Sequence, residues 1–393
     1  MAKHSKNRTE FYVGEPATEK KPKSNKKLLI AAIAVAVVLA LGIAAYFIVP
    51  DMLYNHDKDF TTDKSDLGIS DESDESTNQP NGKDYEGKIV NVALFGIDTR
   101  DAKSFSGRSD SIMVLSLNFK TNKVKIISIM RDSLVEMHPK DKKGEVYTHY
   151  AKVNNAYAKG GPELAVKTLN ENFGLNITDY ASVNFFGMAE IIDAVGGIDA
   201  ELTDNEATYG STKKEVHSIN DYIMEISRAL GKDGTSLKIK KGGKYHLNGI
   251  QAVAYSRIRY YKNIWGTSND FGRTERQRYV MEQLFNKALA MKTSEYPKLI
   301  KAMLPYTKTS LDFDEILNMA SLLIKKPTFE QYRLPDNKML MTAPKGGFGS
   351  VVYYDIDYAK KAIKAITKED ITLKDFMAAN PVEKNDWYTK RTK

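Results

Sequence analysis

The chain has 393 residues, among them 46 lysines and 12 arginines, no cysteine, and a formal net charge of +8. Without cysteine there is no disulfide framework, no thiolate nucleophile and no cysteine-based zinc site. The basic balance suggests an anionic partner, and the length suffices for an ordinary hydrophobic core.

Residues 1–27 are a basic tail, with eight Lys or Arg against Glu10, Glu15 and Glu19. From Leu28 to Val49 no charged residue occurs, and such a run at about 1.5 Å per residue spans a bilayer core. A buried core helix would need a polar face, and none exists. Tyr46, Phe47, Ile48, Val49 and Pro50 close the run where a cleaved signal peptide would carry a small-x-small site. The pattern therefore predicts an uncleaved transmembrane signal anchor over 28–49. Residues 51–87 carry eleven acids and three lysines. Positive charge stays inside, so the N-terminus is expected in the cytoplasm and the main domain outside a single-pass cell membrane of Gram-positive type. Residues 50–87 read as an acidic disordered tether, because Asp71 to Gly82 offers nothing apolar to bury. Residues 88–393 net about +11 by difference. Outside a cell the anionic partner to expect is a lipid head group, a lipid-linked phosphate or a wall polymer, and not nucleic acid.

Order is predicted over 88–375, ahead of a charged tail at 376–393. Strands are expected at 88–97, 111–119, 124–130, 180–185, 198–202 and 329–334, with Thr121-Asn122 as a tight hairpin. Helical patterns fall at 162–173, 186–195, 248–257, 273–291, 313–324 and 357–367, and Pro162 suits a first helical turn. Residues 203–246 read as a polar, variable insertion with a small helix at 219–230. The mixture argues for an α/β domain, a mixed central sheet flanked by helices and preceded by the transmembrane helix.

Arginine usage carries the chemistry. Eight of the twelve fall in two windows: Arg100, Arg108 and Arg131, then Arg257, Arg259, Arg273, Arg276 and Arg278. A solvated face of this chain would be built of lysine, whereas arginine grips phosphate or carboxylate with a planar fork. Pairing outward from the 121–122 turn sets Arg131 opposite Ile112 and Ser133 opposite Asp110. Asp98, Asp110, Arg108 and Arg131 should then share one rim, unless a bulge shifts the register. Two carboxylates beside arginines fit a Mg²⁺–phosphate site, since Mg²⁺ takes one or two carboxylates and the substrate's phosphate oxygens. Simple Asp–Arg ion pairing is the competing account. The second window favours the first, because Arg257 and Arg259 end one helix while Asp270, Arg273 and Gln277 open the next, where an anion is favoured.

Asp98-Thr-Arg100, Gly107-Arg108-Ser-Asp110, Ile129-Met-Arg131-Asp132, Lys152-Val-Asn-Asn-Ala-Tyr157 with Gly160-Gly161-Pro162, Val195-Gly-Gly197, Leu247-Asn-Gly249 with Ala254-Tyr-Ser-Arg257-Ile-Arg259, and Asp270-Phe-Gly-Arg273-Thr-Glu-Arg276-Gln277 occur in this order. The series, over roughly 88–290, resembles the LytR-CpsA-Psr family of cell-envelope proteins. Met130 departs from it, standing where the family usually has proline. The resemblance implies a sheet that holds a polyprenyl chain in an apolar tunnel. It implies transfer of a phosphate-linked glycopolymer, of wall teichoic acid or capsule type, from an undecaprenyl-pyrophosphate carrier to peptidoglycan. Carried over, Asp98 and Asp110 hold Mg²⁺ (or Mn²⁺). Arg100, Arg108, Arg131, Lys152, Arg257, Arg259, Arg273 and Gln277 bind pyrophosphate. Asp98 or Asp270 acts as base, with Arg257 and Arg259 counted in the catalytic set. A pyrophosphatase with water as acceptor and a non-enzymatic anchored scaffold are the rival readings. The six histidines show no ligand spacing, and no Walker loop or Gly-x-Ser-x-Gly elbow is present.

Overall fold

The computed structural model describes residues 55–61, 63–69, 85–99, 101, 104–208, 217–290, 306–312, 315–316, 318–319, 322, 327–342, 348 and 350–383. The expected anchor at 28–49, the basic tail, most of the 313–324 helix and the C-terminal end from 384 lie outside these. Among the described residues no helix is long and apolar enough to cross a membrane.

The strands are β1 (Asn55–His56), β2 (Ile89–Asp98), β3 (Arg108–Asn118), β4 (Lys123–Ile129), β5 (Leu134–Met137), β6 (His149–Lys152), β7 (Ile177–Asn184), β8 (Ile198–Leu202), β9 (Gly243–Leu247), β10 (Thr307–Thr309) and β11 (Thr328–Leu334). The helices are α1 (Asn154–Phe173), α2 (Phe185–Ala194), α3 (Asp204–Thr208), α4 (Ile219–Ala229), α5 (Gly249–Arg257), α6 (Asn269–Ala290), α7 (Ile356–Thr367) and α8 (Leu373–Ala379). Seven strands form one mixed sheet in the order β1-β10-β7-β2-β3-β4-β11, while β5-β6 and β8-β9 form separate two-stranded sheets. The mixed α/β architecture expected from the sequence is what the chain adopts.

Alternation along the central strands builds two cores. Val90, Val92, Met113, Leu115, Leu117, Val124 and Ile126 face α2, α4, α5 and α6. Ala93, Phe95, Ile97, Ile112, Val114, Ile127 and Ile129 face α1 and α7. Both faces are covered, which explains why β2 reads as a continuous apolar run. In α1, Gly160 and Gly161 break the helix before Pro162, and Gly161 takes a φ of 65° that favours glycine.

Three expectations are corrected. The β3–β4 register is shifted by two residues, with Met113 facing Ser128 and Asn118 facing Lys123. The turn spans 119–122, because the Asn118 side chain accepts from the backbone N–H groups of Lys120 and Thr121 and widens it. Continued past the strand end, this register brings Arg131 level with Asp110. Secondly, the start of the stretch read as tether is folded. β1 pairs with β10, and Phe60, Leu67 and Ile69 are buried in the α1 core. Asp57 accepts a hydrogen bond from the Tyr180 hydroxyl. Thirdly, the 203–246 stretch is amphipathic rather than simply polar, since Ile219, Ile223 and Ile226 of α4 lie in the core.

β2, β4, β7 and β11 run in the same direction, so their carboxyl ends share one rim. Open α/β sheets present ligand crevices at that end of the strands.

Candidate active site

The rim assembles both arginine windows. Asp98 closes β2, and its backbone partner across the β2–β3 ladder is Arg108, after a bulge at Gly96/Ile97. Gly107 makes this approach possible: with φ at 148°, a Cβ there would lie 2.5 Å from the Asp98 carbonyl oxygen. Arg131 follows β4 and reaches across to Asp110 at 2.5 Å. The Arg131 guanidinium also contacts Asp270 at 3.3 Å, on the first turn of α6. Arg273, one turn along α6, lies 2.7 Å from Asp270 and 3.6 Å from Asp110. Arg259 approaches Asp270 at 3.4 Å. Three guanidinium groups thus converge on Asp270 and Asp110. The buried Nε of Arg273 has no hydrogen-bond partner there, and that of Arg259 has only its 3.4 Å ion pair with Asp270.

The remaining expected residues surround this centre. Lys152, at the end of β6, pairs with Asp132 at 2.7 Å. Arg257 ends α5, where a cation suits the helix terminus. Its guanidinium sits 5.1 Å from the Phe185 ring centroid and 4.7 Å from that of Tyr222, and 3.3 Å from Glu225. Arg108 is exposed, and its side chain makes no ion pair among the described residues. Arg100 lies outside the described residues. Gln277 lines an open cleft beside Asp110 and Arg131, together with Met113 and Met130. Met130 donates its N–H to the Leu334 carbonyl at 2.9 Å, a bond that proline could not make.

Charge sets the protonation of the carboxylates. Asp98 is exposed at the rim, yet the protein packed around it weakens its solvation and raises its carboxyl above the ordinary range; Asp110 raises it further, against the lowering pull of Arg257 and Arg131. Burial also raises Asp132, which is hydrogen-bonded to Asp270. Burial would raise Asp270 too, but that hydrogen bond together with Arg273, Arg131 and Arg259 holds it well below the ordinary range. Of the two, Asp132 therefore has the higher proton affinity, and Asp270 is the fixed anion.

No group of three or more metal-ligating side chains exists among the described residues. A cation here would rest on Asp98 and Asp110 and take its other ligands from substrate and water, as Mg²⁺ does. The Asp98–Asp110 repulsion, with no hydrogen bond to Asp98 among the described residues, is a charge arrangement such a cation would relieve.

Sequence reasoning left Asp132 without a role, although it stands in the Arg131-Asp132 pair. It did not single out Glu225, Tyr222 or Arg333, which no local pattern marks. Arg276 is no ligand: it is fully buried, 2.6 Å from Glu206, and donates to the Ile258 and Tyr261 carbonyls.

Residues 53–371 match the LytR_cpsA_psr family. The chain is 32% identical over 231 residues to the polyisoprenyl-teichoic acid–peptidoglycan teichoic acid transferase TagU of Enterococcus faecalis, covering 58% of this chain and 64% of that protein. It is 30% identical over 295 residues to the TagU transferase of Bacillus anthracis, covering 75% and 82%. It is 29% identical over 298 residues to biofilm regulatory protein A of Streptococcus mutans, covering 74% and 64%. The chain therefore spans less than two thirds of the E. faecalis and S. mutans relatives. Among solved structures, protein gbs0355 of Streptococcus agalactiae is similar at a TM-score of 0.54 and 25% identity, covering 78% of this chain and 96% of that one.

Proposed function

The chain belongs to the LytR-CpsA-Psr family, and we propose that it transfers a phosphate-linked glycopolymer, of wall teichoic acid or capsule type, from an undecaprenyl-pyrophosphate carrier to peptidoglycan. The observation that carries this reading is the convergence of Arg131, Arg259 and Arg273, with the buried Arg273 Nε left without an acceptor. Buried donors require an acceptor, and phosphate oxygens fit arginine forks.

A sugar hydroxyl of the acceptor attacks the polymer-bearing phosphorus. The new O–P bond forms as the bond to polyprenyl phosphate breaks, and the hydroxyl proton passes to a carboxylate. Asp98 suits that task, since its raised proton affinity makes it a better base than Asp270, which three arginines keep ionised. Asp270 instead orients the arginines. Positioning and charge neutralisation supply most of the rate in phosphoryl transfer. Mg²⁺ (or Mn²⁺) held by Asp98 and Asp110 would neutralise further charge on the pyrophosphate. The basic tail, the 28–49 anchor and the acidic segment behind it keep the domain on the outer face of the membrane, beside its lipid substrate.

The test uses the full-length chain in nanodiscs, a short lipid-pyrophosphate-linked glycan and peptidoglycan oligomers, with product mass followed with and without Mg²⁺. The expected product is a metal-dependent adduct of the two glycans joined by a phosphodiester. Arg273→Ala should cost about 10²–10³ in rate, as for loss of one charge-stabilising donor. Free phosphorylated glycan alone would make the protein a hydrolase. Lipid binding without turnover would make it a scaffold.

A further inference from the structure

The cleft beside Arg131 is lined by two further arginines, Arg278 and Arg333, outside the carboxylate cluster. Arg333 of β11 pairs with Ser128 of β4, which pairs with Met113 of β3, so the three form one row across the sheet. This row lines the cleft beneath α6, whose Gln277 and Arg278 form the opposite wall. Arg278 makes no hydrogen bond or ion pair among the described residues. Among the described residues Arg333 meets only neutral groups: the Pro335 carbonyl at 3.2 Å, Asn337 Oδ1 at 2.5 Å and the Phe271 ring, whose centroid lies 5.7 Å away. Burial, and then the charge of Arg278, works against the Arg333 cation, while Asp336 and Glu275 favour it from beyond ion-pair distance. The contrast with the neighbouring centre is one of charge balance. Arg131 and Arg273 have Asp110 and Asp270 between them, whereas neither Arg278 nor Arg333 makes an ion pair among the described residues.

We propose that Arg278 and Arg333 form a second anion subsite, which takes a phosphate on the glycan side of the lipid-linked substrate. Two half-buried guanidinium groups lining one cleft repel each other, and a bound phosphate turns that repulsion into attraction. β11 is the edge strand of the sheet, so this end of the cleft leads outward. The subsite deepens the transfer reading and rests on it for the identity of the substrate. It selects glycopolymers that carry phosphate in their repeating units over neutral glycans.

The experiment compares two lipid-pyrophosphate substrates with the full-length chain in nanodiscs: one with a neutral disaccharide and one with the same disaccharide bearing a glycerol-phosphate unit. In Arg278→Gln and in Arg333→Gln, the ratio of kcat/KM for the phosphorylated over the neutral substrate should fall by about tenfold or more, as for loss of a charge-assisted hydrogen bond. An unchanged ratio overturns the subsite, including the case in which both substrates suffer equally. Arg278→Gln removes no contact, so misfolding does not obscure the result. If the wild type turns over neither substrate, the transfer reading fails separately, and binding of a glycerol-phosphate trimer decides the subsite. Binding weakened about tenfold by Arg278→Gln, and still present with saturating pyrophosphate, supports it. Competition by pyrophosphate, or indifference to Arg278→Gln, overturns it.

Discussion

Asp98 and Asp270 are both rim carboxylates, and their surroundings push them in opposite directions. Weakened solvation and Asp110 raise Asp98, so transfer should fail on the acid side at a pH above the ordinary carboxylate range, where Asp98 becomes protonated. A cation bound between Asp98 and Asp110 stabilises the ionised form. Raising Mg²⁺ should therefore move the acidic limb of the pH–rate profile to lower pH, and a limb indifferent to Mg²⁺ would separate Asp98 from the metal. The same shift acts on stability. A carboxyl whose affinity for a proton rises on folding destabilises the fold above that raised value, and the penalty disappears below its unfolded value. Asp98→Asn should abolish transfer yet melt no lower than the wild type at neutral pH. Asp270 has the opposite sign, and its stabilisation is present above the ordinary carboxylate range and lost as pH falls through its depressed value. Asp270→Asn leaves Arg259 without a carboxylate and Arg131 and Arg273 sharing Asp110, so urea unfolding at neutral pH should show a loss of about 3 kcal/mol. Asp132→Asn, which places a neutral donor beside Asp270 and removes only the Lys152 and Arg131 ion pairs of Asp132, should cost less.

At the scale of elements, the site depends on how α5, α6 and the loop between them are tied. Arg276 and Glu206 are both fully buried, and the Arg276 guanidinium also holds the Ile258 and Tyr261 carbonyls. Ile258 lies between Arg257 and Arg259, so this bond sets the direction in which both arginines leave α5. Asn263 locks the rest of the loop, accepting from the Trp265 and Thr267 backbone N–H groups and donating to Glu275 at 2.9 Å. Arg276→Lys keeps the charge but cannot reproduce a fork with three acceptors. It should lower stability by about 3 kcal/mol and weaken pyrophosphate binding, both measurable on one purified variant. Full retention of binding would show that the loop holds Arg257 and Arg259 unaided. Helix and strand positions were legible because their periodicities follow from burial on one or two faces. β5, β6, β9 and β10 were not, because strands of three to five residues are too short to impose a period.

For the whole molecule, the boundary between tether and domain lies earlier than charge suggests. Leu67 is fully buried, and Asn170 Nδ2 donates to its carbonyl at 2.8 Å. The segment at 55–69 therefore completes the core over α1. Leu67→Ala should cost about 2–5 kcal/mol in chemical denaturation. A chain that starts at residue 88 should unfold at lower temperature than one that starts at 55. Equal melting would mean that the segment only rests on the surface.

The sequence by itself determined the α/β class, the order of the main elements and the residue types of the site. Hydrophobic period and the preference for arginine over lysine are local properties, written in the order of residues. It also carried the motif series that marks the family. The tertiary structure alone decided which charges meet. Asp110, Arg131, Asp270 and Arg273 come from three separate elements, and their contacts depend on a two-residue register shift and a bulge that no periodicity encodes. Only the fold separates Arg276, spent on Glu206 and two carbonyls, from Arg273 three residues before it. It alone sets Arg333 across a cleft from Arg278, because strand register and helix placement follow from packing between distant parts of the chain.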